Sequence, residues 1–304
     1  EAPDPNLSAG SSAGQNQARS GLKRQRTMTT DWQELLANYP VREIITAEGR
    51  FSYRQAGRGP DLVLLHGIGS ASGSWPHQIG AFSNRFRVTA WDAPGYGTSD
   101  CLANKTPLAE DYADALTGFL DALSIERATV VGHSLGALMA AAFAARHPDR
   151  VQALVLAAPA LGYGKAVKVV RQAKLDSRLK MMAELGPGGL ARERAGNLLS
   201  SSASAEQMAQ VQWNMAQLRV DGHAAAAHML AFGDLATDAA LIRQRFQVIC
   251  GSGDTITAAA ASRAFAEAFP QASYAEIPVA GHALYIEEPD AFNALLAEAL
   301  GVAA

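Results

Sequence analysis

A serine hydroxyl is a weak nucleophile until a neutral imidazole takes its proton and a carboxylate orients that imidazole, so a serine, a histidine and an acid in suitable contexts mark nucleophilic catalysis. One serine of this 304-residue sequence stands in such a context. Gly132-His133-Ser134-Leu135-Gly136 follows Ala128-Thr129-Val130-Val131, which reads as a strand, and opens a run from Leu135 to Arg146 that reads as a helix. A serine on so sharp a strand–turn–helix junction presents its hydroxyl at the edge of the sheet, with glycines where strand and helix approach closely. The N-terminus of the helix favours developing negative charge. The same spacing recurs at Gly10-Ser11-Ser12-Ala13-Gly14, without a strand before it or a helix after it. Because serine is also a common helix N-cap, the assignment of Ser134 depends on its partners.

In a strand–turn–helix site of this kind the acid and base follow the serine in chain order. Asp254 closes Gly251-Ser252-Gly253-Asp254, directly after the buried-strand run Phe246 to Cys250. That is the C-terminal end of a strand, where open α/β sheets carry their ligand-facing residues. His282, in Ala280-Gly281-His282, is the one histidine beyond Asp254. It lies in a loop between the strand Ser273 to Ile277 and the last helix. A lone loop histidine is usually just solvated, but the order and placement here assign Ser134, Asp254 and His282 as a catalytic triad. His66-Gly67-Ile68-Gly69 follows the strand Leu62 to Leu65, the position that supplies the second oxyanion amide. The expected donors are the backbone N–H groups of Ile68 and Leu135. His66 is expected to order the loop, and His133 to point away from Ser134 as a packing residue.

These residues need a rigid frame. From Val41 onward short β-rich runs alternate with helical patterns: Arg42 to Thr46, Phe51 to Gln55, Leu62 to Leu65, Phe86 to Trp91, Ala128 to Val131 and Val151 to Leu156, with Leu108 to Leu123 and Leu135 to Arg146 as helices. Unbroken apolar runs such as Leu62-Val63-Leu64-Leu65 imply strands covered on both faces and hence a mostly parallel sheet. The alternation stops between residues 162 and 240, where helical stretches such as Ala203 to Leu218 stand without strands. It resumes at Phe246 to Cys250, Ala258 to Phe269, Ser273 to Ile277 and Pro289 to Leu300. The middle segment reads as a helical insertion, since a structureless loop that long is rare inside a compact domain. The expected organisation is a tail over residues 1–30, a core over 31–161 and 241–304, and a helical layer over 162–240.

Composition narrows the function classes. With 48% hydrophobic and 18% charged residues the chain can bury a large core, and a net charge of -3 with scattered basic residues gives no face for nucleic acid. The two cysteines, Cys101 and Cys250, form neither a metal pattern nor a disulfide framework, which fits a reducing, cytoplasmic compartment. No apolar run is long enough to span a bilayer, so the protein is expected to be soluble. Residues 1–30 are rich in Ser, Gly, Asn and Gln and lack the apolar stretch of a secretion signal, so they read as a disordered tail. Met28 stands just before the first patterned segment and marks a candidate native start.

Taken together, Leu65-His66-Gly67-Ile68-Gly69, Asp92-Ala93-Pro94-Gly95-Tyr96-Gly97-Thr98-Ser99, the Ser134 elbow, Asp254 and the Gly281-His282 loop resemble the α/β-hydrolase superfamily over roughly residues 40 to 300. The resemblance implies an α/β-hydrolase fold: a mostly parallel central sheet with helices on both faces and a helical cap inserted after the sixth strand. It is similar to the serine-nucleophile esterase, enol-lactonase and carbon–carbon-bond hydrolase branch, whereas an Asp nucleophile would have indicated a haloalkane dehalogenase or epoxide hydrolase. The implied substrate is a small, largely apolar ester or lactone cleaved through an acyl-enzyme, with no cofactor and no metal. Carbon–carbon-bond hydrolysis and acyl transfer on the same triad are the enzymatic alternatives, and a non-turnover ligand receptor is the alternative from another class.

The helical segment is expected to line the substrate pocket. Trp213, Met182, Met215 and Phe232 are the candidate lining residues, with Met181, Met208, Met229 and Leu230 beside them, although methionines at helical spacing also serve as ordinary core. Lys165, Lys168, Arg171, Lys174 and Arg178 fall on one helical face. A solvated stripe is the plainer reading of that face, and attraction of an anionic substrate the sharper one.

Overall fold

The structure, a computed structural model, describes residues 32–302. The expected tail over residues 1–30 lies outside them. The strands form a single sheet in the order β1 (Arg42–Thr46), β2 (Gly49–Ala56), β4 (Arg87–Trp91), β3 (Asp61–Leu65), β5 (Ala128–His133), β6 (Val151–Ala157), β7 (Phe246–Gly251) and β8 (Ala272–Ile277). β2 runs antiparallel to both β1 and β4, and the remaining neighbours are parallel.

The unbroken apolar runs explain how the sheet is covered. Leu62, Val63, Leu64 and Leu65 are all fully buried, and alternate residues enter different cores. Val63, Leu65, Val130, Leu154, Leu156 and Val248 face a core built with α3 (Ala109–Ala122) and α4 (Leu135–Arg146). Leu62, Leu64, Val131, Val155 and Ile249 face the opposite core, where α2 (Pro76–Phe82) supplies Ile79 and Phe82 and α11 (Pro289–Ala299) supplies Phe292 and Leu296. A period-two strand with both faces apolar can be satisfied only by helices on both sides.

The strand order has a consequence for the site. The chain leaves β3 toward β4 on one side and returns to β5 on the other, so the order reverses between β3 and β5. At such a switch point the connections diverge and leave a crevice outside the carboxyl ends of the strands. The loops after β3 and β5 both open into it, and these are the loops that carry Ile68 and Ser134.

Between β6 and β7 lie α5 (Lys168–Arg194), α6 (Ala205–Ala216), α7 (Val220–Phe232) and α8 (Leu235–Ala239), with no strand among them. α5 is kinked at Gly186, whose positive φ of 62° precedes Pro187. α6 starts two residues later than the pattern suggested because Ser204 and Gln207 form a reciprocal capping box, with Gln207 N–H to Ser204 Oγ at 3.2 Å and Ser204 N–H to Gln207 Oε1 at 2.8 Å. This segment belongs to the same compact unit as the sheet. No helix of the described residues is long and apolar enough to cross a membrane.

The turn after β4 ties the frame together through one buried carboxylate. Asp92 Oδ1 accepts the Ser72 N–H at 2.8 Å and its Oδ2 accepts the Ser52 hydroxyl at 2.6 Å. Ser99 Oγ donates to the Asp92 carbonyl at 2.7 Å and accepts the Ser52 N–H at 2.9 Å. Asp92 thereby joins β2, β4 and the segment leading into α2. Its removal would leave a buried N–H and a buried hydroxyl unpaired, at about 1–3 kcal/mol each. Asp92→Ala is therefore expected to lower the melting temperature by roughly 5 °C or more, measured by circular dichroism. An unchanged melting curve would contradict this role.

Candidate active site

Ser134 follows β5 and precedes the first residue of α4, with φ 53° and ψ −114°. A non-glycine residue held there is strained, and such strain persists only where the surroundings over-determine it. Here they do. A Cβ on Gly132 would meet the Gly136 carbonyl and sit 2.9 Å from Ala137 Cα, while one on Gly136 would meet the Leu65 carbonyl and lie 2.8 Å from that of His66. The two glycines let α4 press against the ends of β3 and β5, and the turn lifts the Ser134 side chain above the sheet. The Ser134 N–H donates to Ala157 at 2.9 Å, which anchors the turn to β6.

The structure brings Ser134, His282 and Asp254 together. Ser134 Oγ donates to His282 Nε2 at 2.9 Å, and His282 Nδ1 donates to Asp254 Oδ2 at 2.8 Å. All three are buried, at 6%, 3% and 5% exposure, so little water competes with the two hydrogen bonds. Burial alone would disfavour the Asp254 carboxylate, but the hydrogen bond and charge of His282 and the donors of Thr257 outweigh it and hold Asp254 well below the usual carboxylate range. Its Oδ1 accepts the N–H groups of Ile256 at 2.7 Å and Thr257 at 2.9 Å, an Asx-type turn. Thr257 Oγ1 lies 2.8 Å from Asp254 Oδ2, 3.2 Å from His282 Nδ1 and 3.1 Å from the Ala158 carbonyl.

The His282 loop is held from behind by a carboxylate with no such sequence signal. Glu287, on the short helix α10 (Leu284–Glu287), is 7% exposed. Its Oε1 accepts the Gly281 N–H at 2.9 Å and its Oε2 the Ser200 N–H at 3.0 Å. The Ala283 N–H donates to Leu198 at 2.8 Å. The loop is thus fastened to the helical segment on both sides of His282. Sequence reasoning missed Glu287 and Thr257. Only the latter left a trace, as a hydroxyl residue three positions after Asp254.

The Ile68 amide follows β3 and the Leu135 amide opens α4, and neither donates a turn or loop backbone hydrogen bond among the described residues. His66 orders this loop. Its Nδ1 donates to the Gly67 carbonyl at 2.8 Å and its Nε2 accepts the Ala93 N–H at 3.0 Å, which defines one neutral tautomer. Tyr96 adds a hydrogen bond from its hydroxyl to the Ile68 carbonyl at 3.0 Å. The Asp92 turn therefore positions the Ile68 amide indirectly. His133 does pack, with Tyr285 at 4.8 Å between ring centroids, but it does not point away from the site. Its ring lies 4.9 Å from that of His282 and its Nε2 donates to the His282 carbonyl at 2.9 Å. Burial, then the neighbouring His282, push its pKa down to about 3, so it stays neutral.

Ser134 and His282 open into a cavity of about 540 Å³ lined by Ile68, Leu161, Leu198, Val211, Met215, Leu230, Ile256 and Tyr285 among others. Of the four side chains expected to line it, only Met215 does. Met182 is 2% exposed within the core on the α3/α4 side. Trp213 turns to Trp32, 5.2 Å between ring centroids, and Phe232 stacks on His228 at 4.5 Å. The sequence marked these apolar side chains as candidates, but apolar residues of this segment divide between cavity and core according to tertiary packing, which no single-helix pattern encodes. Arg178, of the basic stripe, reaches the cavity.

A strained serine, a neutralisable base beside it, an ionised acid behind the base and two amides across from them can carry out nucleophilic attack on a carbonyl. The family model described as alpha/beta hydrolase fold matches residues 60–289. An uncharacterised protein of Mycobacterium tuberculosis is 39% identical over 148 residues, 48% of this chain and 43% of that protein, so the chain spans less than half the length of that relative. The pimeloyl-[acyl-carrier protein] methyl ester esterase of Nitrosomonas europaea is 33% identical over 254 residues, 78% of this chain and 94% of that enzyme. Among solved structures, the enol-lactonase of Burkholderia xenovorans LB400 superposes with a TM-score of 0.75 at 27% identity, covering 86% of this chain and all of that one. Sheet topology, elbow and matched sequence agree, and the chain belongs to the α/β-hydrolase fold family.

Proposed function

We propose that this chain is a serine hydrolase that cleaves a carboxylic ester or lactone of a small, largely apolar substrate through an acyl-enzyme. The observation that carries this reading is the unbroken chain of hydrogen bonds from Ser134 Oγ through His282 to Asp254 at the floor of an apolar cavity. The named activities of two relatives, a methyl ester esterase and an enol-lactonase, support it.

In this mechanism His282 Nε2 takes the Ser134 proton as Oγ attacks the carbonyl carbon. The positive charge that forms on the imidazole is stabilised by Asp254, which stays ionised and keeps the proton on Nδ1. The amides of Ile68 and Leu135 take the oxyanion, and loss of one such donor costs about 10²–10³ in rate in comparable enzymes. His282 then returns its proton to the leaving alkoxide. Water, deprotonated by the same nitrogen, attacks the acyl-enzyme and releases the acid. The helices between β6 and β7 act as a cap that gives the acyl pocket its walls, through Leu198, Val211, Met215 and Leu230.

The test is turnover of a series of short 4-nitrophenyl esters and lactones. Ser134→Ala is expected to abolish hydrolysis without loss of folding, since it removes one hydroxyl from a site already open to the cavity. Asp254→Asn is expected to lower kcat/KM by about 10⁴, because the imidazole loses its acceptor and favours the wrong tautomer. An Asp254→Asn protein within tenfold of wild type would contradict the assignment.

The pH profile supplies an independent check. Asp254 is held well below the usual carboxylate range and His133 is pushed down to about 3, so neither changes charge in the neutral range. A general base works only when deprotonated, so in a profile measured from about pH 5 to 9 kcat/KM is expected to rise with pH along one acidic limb and then level. Two acidic limbs, or a rate that falls as pH rises through this range, would contradict His282 as the sole base.

A further inference from the structure

Among the described residues the cavity lining contains one permanently charged side chain. Arg178, half-buried on α5, joins described wall residues that are otherwise apolar or neutral, with no Asp or Glu among them. Its guanidinium lies 5.8 Å from the Tyr163 ring centroid, with Lys174 Nζ over the same ring at 5.1 Å, and Tyr163 itself lines the cavity. One of its nitrogens donates to the Lys174 carbonyl at 3.1 Å. Among the described residues no carboxylate forms an ion pair with it. Two acids of this part of the chain have other partners: Asp234 pairs with Lys165 at 3.4 Å, and Asp176 accepts from Gln172 at 2.9 Å. His223 is kept neutral beside it: burial, then the Arg178 charge, push its pKa down to about 4.

An uncompensated cation on a partly desolvated wall is costly unless something pairs with it, and a guanidinium presents a planar fork that matches a carboxylate. The cation–π contact with Tyr163 and the hydrogen bond to the Lys174 carbonyl limit the orientations of that fork before any ligand arrives. We infer that Arg178 reads a carboxylate at the end of the substrate remote from Ser134, so that the preferred substrate is a half-ester of a short dicarboxylic acid. This rests on the serine-hydrolase reading and narrows it. The acyl chain would run along Leu161, Met215 and Leu230, with the ester at Ser134 and the anion at the Arg178 end. The anion selects by charge while the wall selects by shape. Lys174 adds to the local positive potential without needing to touch the ligand.

The test compares two esters of equal length, the mono-4-nitrophenyl ester of hexanedioic acid and 4-nitrophenyl hexanoate, by the ratio of their kcat/KM values. Wild type is expected to favour the anionic ester by about tenfold, with the preference shrinking as salt is raised. Arg178→Met is expected to bring the ratio close to one, and Arg178→Lys to restore part of it, since the charge returns without the fork. A second arm needs no turnover. Calorimetry of hexanedioate on Ser134→Ala is expected to show binding that is lost in Ser134→Ala/Arg178→Met, with folding of both checked by circular dichroism. Hydrolysis of both esters at equal efficiency would overturn the carboxylate reading and leave the hydrolase reading standing. Arg178-dependent binding of hexanedioate without turnover of either ester would support the carboxylate site and overturn the hydrolase reading. No binding of hexanedioate, or binding indifferent to Arg178, would overturn the site outright.

Discussion

The arrangement depends on keeping one buried carboxylate ionised. Asp254 is 5% exposed, and an isolated carboxylate so placed would take up a proton rather than pay its desolvation energy. It escapes this because the Ile256 and Thr257 amides, the Thr257 hydroxyl and His282 Nδ1 converge on its two oxygens. The same donors remove its freedom to turn, so the remaining lone pairs define where an imidazole can sit. In the proposed mechanism the tautomer and angle of His282, and through them the activation of Ser134, follow from that constraint.

Around this pair the fold supplies rigidity from two directions. Glu287 fastens the His282 loop to the helical segment, and the Asp92 turn fixes the loop of Ile68 by way of His66 and Tyr96. Both devices are buried polar side chains whose partners are largely backbone amides and carbonyls. Such groups hold loops more firmly than surface ion pairs do, because breaking them leaves polar atoms unpaired away from water. The topological reversal between β3 and β5 places the two loops on opposite lips of one crevice, so neither needs to be long to reach the reacting centre.

Much of this was legible in the sequence, for physical reasons that differ by element. The strands were readable because burial on both faces forces unbroken apolar runs, and β1 begins and ends where its residue pattern does. Ser134, Asp254 and His282 were readable because each follows a strand in chain order, a local signal. The lining of the cavity was not. Trp213 and Phe232 sit on helices of the expected kind, yet their side chains turn to Trp32 and His228, a result of helix crossing that depends on distant residues. Glu287 and the inward turn of His133 were equally hidden, since a glutamate two residues before a helix-starting proline and a histidine beside a serine look unremarkable until the loops close around them. Arg178 belonged to a stripe that reads as solvated, and of that stripe it alone is found among the described residues lining the cavity.

The central claim is that Ser134 is an activated nucleophile, and covalent trapping tests it without reference to any substrate. The folded protein would be incubated with a fluorophosphonate, followed by intact mass measurement and peptide mapping. The account predicts one adduct per chain, on the peptide that carries Ser134, absent in Ser134→Ala and strongly slowed in His282→Ala. A folded protein that takes up no label, or takes it up at another residue at the same rate in Ser134→Ala, would contradict it.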